Sequence, residues 1–178
     1  TIFLLKGVSM NTTRSLTRTA LIAALLLTVQ ALRLLLPLPP LASTLLIGSL
    51  VNACLILGAV SGGYRGLAVL SVLAPLIAYL QQLLPLPIFI AIVAGGNFFF
   101  GSLYLILQRQ STLLSLLIPP LGKMLFLWGS VTFLLSLLAL PEFLQRLLGL
   151  LLSWPQFITS LAGLLLAQAV LKRMKTED

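Results

Sequence analysis

Apolar runs of membrane-crossing length follow one another along nearly the whole chain, interrupted only by prolines, glycines and isolated basic residues. A helix needs roughly 20 mostly apolar residues to cross a hydrocarbon core about 30 Å thick. A chain of 178 residues therefore has room for five to seven crossings and for little else. With 60% hydrophobic and only 8% charged residues, a soluble domain is excluded. The expected fold class is all-α: a compact bundle of six transmembrane helices in one transmembrane domain, 1–178, embedded in membrane lipid.

The breakers place the spans. A first runs over about 17–36 and is closed by Pro37-Leu38-Pro39-Pro40, whose rings cannot continue a helix. A second, 44–64, and a third, 67–84, are separated by Gly62-Gly63-Tyr64-Arg65-Gly66, which reads as a tight turn. Pro85-Leu86-Pro87 precedes the fourth, 88–107. The fifth, 113–140, contains Pro119-Pro120 and is expected to kink or to begin as a broken turn. Glu142, Gln145 and Arg146 fall at helical spacing, so 142–149 reads as an interfacial amphipathic piece before the sixth span, 150–171. Met10-Asn11-Thr12-Thr13-Arg14 resembles a natural start, so residues 1–9 are expected to be an upstream extension.

Basic residues then orient the bundle. With six spans, Lys6, Arg14, Arg18, Arg65, Arg109, Lys172, Arg173 and Lys175 fall on one side and only Arg33 and Arg146 on the other. The positive-inside rule puts the richer side, and with it both termini, in the cytoplasm. The net charge of +8 thus reads as topology and not as a nucleic-acid surface. Small residues recur at Gly58, Gly62 and Gly66, a spacing that lets helices approach closely.

Polar residues at hydrocarbon depth are the candidates for chemistry, because each costs free energy unless it is paired or faces a cavity. Gln30, Arg33, Asn52, Gln81, Gln82, Asn97, Lys123, Ser130, Gln156, Thr159 and Ser160 make up this set. The topology assigns Gln30, Arg33, Gln81, Gln82, Gln156, Thr159 and Ser160 to the outer half and Asn52, Asn97 and Lys123 to mid-depth. The candidate ligand-binding residues are Lys123, Asn97, Asn52, Gln156, Gln81, Gln82 and Arg33.

Other readings remain open for several of them. Asn52 and Asn97 suit interhelical hydrogen bonding as well as ligand contact. Gln81 and Gln82 lie where solvation would suffice, and Gln156, after Trp154-Pro155, could cap a helix. A mid-membrane lysine costs roughly 2.5 to 3.5 kcal/mol on insertion scales, and no Asp or Glu lies in any span to neutralise Lys123. Its ammonium could meet an anionic or carbonyl-bearing ligand, carbonyls freed by Pro119-Pro120, or the interface by snorkelling.

Enzymatic function finds no support. Histidine is absent, Cys54 is alone, and the only carboxylates are Glu142, Glu177 and Asp178. These cannot build a catalytic triad, an acid–base pair or a metal site. No Gly-rich phosphate loop ending in Lys-Ser/Thr is present for ATP, and no cofactor is expected.

Ala20-Leu21-Ile22-Ala23-Ala24, following Arg18, is similar to the Ala-x-x-x-Ala motif of the S-components, the substrate-binding membrane subunits of energy-coupling factor (ECF) vitamin transporters. Gly48-Ser49-Leu50-Val51-Asn52, Ala94-Gly95-Gly96-Asn97 and Pro155-Gln156-Phe157-Ile158-Thr159 resemble segments recurring in unassigned S-components of Gram-positive bacteria. The resemblance implies a multi-pass protein of the bacterial plasma membrane that captures a small vitamin-like molecule outside. It further implies a separate membrane coupling subunit and two cytoplasmic ATPases that drive release. By the same resemblance Ala20 and Ala24 would face the coupling subunit, and 36–42 would act as an external lid. The rival expectations are a structural scaffold of the cell-shape machinery, of the MreD type, and a stand-alone facilitator of small solutes.

Overall fold

A computed structural model describes residues 2–36, 39–137 and 141–176. Among them there is no strand. The elements are α1 (Ile2–Leu35), α2 (Pro40–Leu80), α3 (Ile88–Leu107), α4 (Thr112–Leu137), the short α5 (Glu142–Leu151) and α6 (Trp154–Thr176). Among the described residues, five stretches are long and apolar enough to cross a membrane: Thr13–Leu35, Leu41–Leu80, Ile88–Leu107, Thr112–Leu137 and Glu142–Arg173. The chain is a multi-pass membrane protein by helix length and hydropathy. Its surface agrees, since Leu113, Leu125, Trp128 and Phe133 of α4 are all exposed, as a face toward lipid requires.

Prolines mark several helix starts here. Pro40 opens α2, Pro87 and Pro141 immediately precede α3 and α5, and Pro155 is the second residue of α6. A proline in the first turn sacrifices no hydrogen bond, because its missing N–H would have had no helical partner.

The turn expected to separate spans two and three lies inside α2, which consists of two helical halves meeting at a single non-helical residue, Gly63, at φ 60° and ψ −154°. Only glycine adopts that conformation without strain. The 41 residues of α2 laid straight would reach about 62 Å at 1.5 Å per residue. Instead α2 folds back on itself: a Cβ on Gly58 would collide with Leu70, and one on Gly66 would lie 2.8 Å from the Gly58 carbonyl oxygen. The halves 40–62 and 64–80 therefore run side by side, and Gly58, Gly62 and Gly66 form the close-packed bend against Thr19 of α1.

Pro119 and Pro120 do not break α4, which is continuous from Thr112 to Leu137. Residues 2–9 are helical and run into α1. The amphipathic piece forms as expected, extended by two residues to Leu151.

The two halves of α2 occupy the middle of the bundle, touching α1, α3 and α6, while α4 packs on α3, α5 and α6. One apolar cluster joins Leu26, Cys54, Leu55, Ile56, Leu70, Phe100, Tyr104 and Leu164. A second joins Leu84, Phe89, Val131, Leu148 and Leu152. The polar groups gather between them.

Candidate functional site

A cavity of about 290 Å³ lies within the bundle. All six helices contribute to its wall: Gln30 and Arg33 from α1, Asn52 and Ala74 from the two halves of α2, Asn97 from α3, Lys123 from α4, Leu148 and Leu151 from α5, and Gln156 from α6. Its volume lies at the small end of the range of about 300–1,000 Å³ typical of ligand pockets. Apolar walls with a few convergent polar groups are the usual composition of such a site.

Helix packing explains why these side chains meet. A Cβ on Gly163 of α6 would lie 2.5 Å from the Ser49 carbonyl oxygen and 2.6 Å from Asn52 Cβ, so α6 reaches α2 at backbone distance. That approach sets Thr159, one turn earlier, against Asn52. On the other side, Gly96 accommodates Leu127 and Gly122 accommodates Leu103 and Phe99, which brings Asn97 of α3 and Lys123 of α4 to the same wall.

Lys123 is 3% exposed and sits near the middle of the α4 span. Its Nζ donates a hydrogen bond of 2.6 Å to Asn52 Oδ1 and stands 5.4 Å from the centre of the Phe100 ring. The bond goes to an amide oxygen and not to the carbonyls that Pro119 and Pro120 leave without amide donors. Asn52 Nδ2 in turn donates to Thr159 Oγ1 at 3.2 Å, and Thr159 donates to the Gln156 carbonyl oxygen at 3.2 Å. A relay thus ties α4 to α2 and α6, with no carboxylate in it.

At the α1 end, Arg33 Nε donates to Ser43 Oγ at 3.0 Å, and Gln30 Nε2 donates to the Ala74 carbonyl at 2.9 Å. The other amide atom, Gln30 Oε1, is buried without a hydrogen-bond partner. Asn97 is 3% exposed and lines the cavity.

Five of the seven expected ligand-binding residues therefore line one cavity: Lys123, Asn97, Asn52, Gln156 and Arg33. Gln81 lies one contact away, its Nε2 donating to the Gln30 backbone carbonyl at 3.0 Å. Gln82 is exposed in the α2–α3 turn at φ 59°. Gln156 does close a helix junction, since its Nε2 donates to the Leu151 carbonyl at the end of α5, and it lines the cavity as well. Ala20 and Ala24 are exposed on α1. Of the expected lid, Pro37 and Leu38 lie outside the described residues; Leu148, Leu151 and Leu152 supply an apolar wall instead. Sequence reasoning did not single out Gln30 or Ser43 as ligand contacts, although the helical i, i+3 spacing of Gln30 and Arg33 was available as a signal.

No protein-family model, no curated protein and no solved structure matches this chain.

Proposed function

We propose that this chain is the solute-capturing membrane subunit of an importer energised by separate ATPases, of the kind the ECF S-components represent. In this reading it lies in a bacterial plasma membrane, crosses six times and keeps both termini in the cytoplasm. The observation that carries the proposal is the cavity within the bundle into which polar residues from α1, α2, α3, α4 and α6 converge. Isolated polar groups in lipid are costly. A chain this apolar that collects them around a hollow is built to hold something there.

Topology supports the direction. In this reading the two halves of α2, on either side of Gly63, count as two crossings, which gives an even number. Arg65 at that bend then shares a side with Arg109 and Lys172, while Arg33 marks the opposite, outer side. Arg33 lines the cavity, so in this reading the cavity is reached from the outer side, as capture requires. The exposed pair Ala20 and Ala24 leaves a low-relief stripe on α1 for the coupling subunit to pack against.

Native mass spectrometry of the full chain purified from its own cells should find a small molecule retained, and tagged chain should co-purify a membrane subunit and two ATPases. Ala20→Trp should abolish the co-purification while leaving the retained molecule in place. If the wild-type chain carries no small molecule and pulls down no ATPase, the reading fails and a scaffold role gains.

A further inference from the structure

The cavity carries two positive charges and no negative one. Lys123 and Arg33 line it and neither Asp nor Glu does. Among the described residues the one carboxylate is Glu142, which is engaged with Arg146 at the exposed surface of α5. The Lys123 ammonium has three hydrogens to donate, and the partner it meets is the neutral amide oxygen of Asn52. That amide is held in one orientation, because Nδ2 donates to Thr159; a flipped amide would set NH2 against the ammonium. Asn52 Oδ1 thus occupies the place where a buried cation would best be met by an anion.

The α1 end repeats the pattern. Nε of Arg33 is bonded to Ser43, which leaves the two terminal nitrogens of the guanidinium for another acceptor. A neutral solute would leave the buried Lys123 ammonium without a counter-charge at mid-span, where unpaired charge is most costly.

We propose that the captured solute is a small organic acid whose carboxylate bonds Lys123 Nζ, displacing or sharing the place of Asn52 Oδ1, with Arg33 as the outer cation that draws it in. This rests on the solute-capturing reading above. A carboxylate fits the buried end better than a phosphate group, which is usually met by several backbone N–H groups or an arginine fork. Here the buried end offers one ammonium and side-chain amides. The volume of about 290 Å³ suits a compact acid. Asn52 keeps the ammonium bonded in the empty protein, so the site need not collapse between ligands.

Thermal melting of the full-length protein in detergent tests the seat, using benzoate against benzamide, nicotinate against nicotinamide, succinate against succinamide, and inorganic phosphate. At least one acid should raise Tm, with its amide at least tenfold weaker. Lys123→Gln, which keeps a donor for Asn52, should melt no lower than wild type yet lose the response to the acid. Asn52→Asp, which supplies an internal carboxylate to Lys123, should melt higher than wild type and also lose the response. Equal effects of acid and amide, a response to phosphate alone, no response to any acid, or an acid response that survives Lys123→Gln would each overturn the proposal. A neutral compound that stabilises wild type and Lys123→Gln alike would remove the carboxylate seat but leave solute capture standing; absence of any retained or stabilising molecule would remove both.

Discussion

In α1, Leu26 is sealed inside the packed half of the bundle, whereas Gln30, one turn further along, lines the cavity. The same change occurs between Ile56 and Asn52 in α2 and between Phe100 and Asn97 in α3. One turn of helix thus separates two interiors. Toward the basic end, fully buried leucine, isoleucine and phenylalanine side chains interlock, and the buried polar groups are small hydroxyls such as Thr19 and Ser71. Toward the other end, amides and two cations surround a hollow. Lipid is as apolar as leucine, so the packed half is held by close contact and dispersion rather than by expulsion of water. The hollow half forgoes much of that contact, and its polar groups hold one another in place instead.

Deleting a large side chain should therefore be severe in one half and mild in the other. Phe100→Ala removes a ring with no exposed surface and should cost about 3–5 kcal/mol. Val93→Ala, which lines the cavity, should cost well under half of that; equal losses would break the comparison. Cys54, 3% exposed in the packed half and the only cysteine, supplies the readout, since a thiol-reactive dye should label it only as that half opens. Gly163→Leu drives a side chain into the Ser49 carbonyl and Asn52, and about 3 kcal/mol is expected from such overpacking. It should also disrupt the cavity, because the same contact sets Asn52 against Thr159.

Smaller effects sharpen the contrast. Asn52→Leu leaves the Lys123 ammonium without its acceptor and should lower stability by about 2–3 kcal/mol. Combining it with Lys123→Met should recover most of the loss, since an apolar pair of similar volume leaves no unpaired charge. Gly63→Ala meets no neighbour within 4 Å, yet the backbone there requires φ 60°, so about 1–2 kcal/mol should be lost to strain alone. Arg33→Gln should change stability least, by less than about 0.5 kcal/mol, as befits a half-buried side chain at the rim. Its expected signature is weaker binding of acids, with reduced dependence on salt.

Much of the site was legible as a list but not as an arrangement. Lys123, Asn52, Asn97, Gln156 and Arg33 stand out in the sequence because polar residues are rare in apolar runs, and all five line the cavity. Gln81 and Gln82 carried the same signal, but they sit at the end of α2, where the chain turns and the residue after the helix leaves the bundle wall. No local pattern separates a glutamine that turns inward from one that faces outward at such a bend. Gln30 was legible as a buried polar residue but not as one with an unpartnered oxygen, because its amide nitrogen finds Ala74, 44 residues away.

Local hydropathy determined that the chain enters a membrane and roughly where each span lies, because crossing a hydrocarbon layer is a demand on consecutive residues. Lys123 stood out by its position inside an apolar run, with no Asp or Glu in any span. The turn at 62–66 was legible too, but only the tertiary structure decided that its break is the single residue Gly63, that α4 runs unbroken through Pro119 and Pro120, and that Lys123 meets Asn52 across 71 residues and Asn52 meets Thr159 across 107. Those pairings depend on the rotational phase of helices packed at glycine-close distance. That phase is a property of neighbouring surfaces and not of any one stretch of chain.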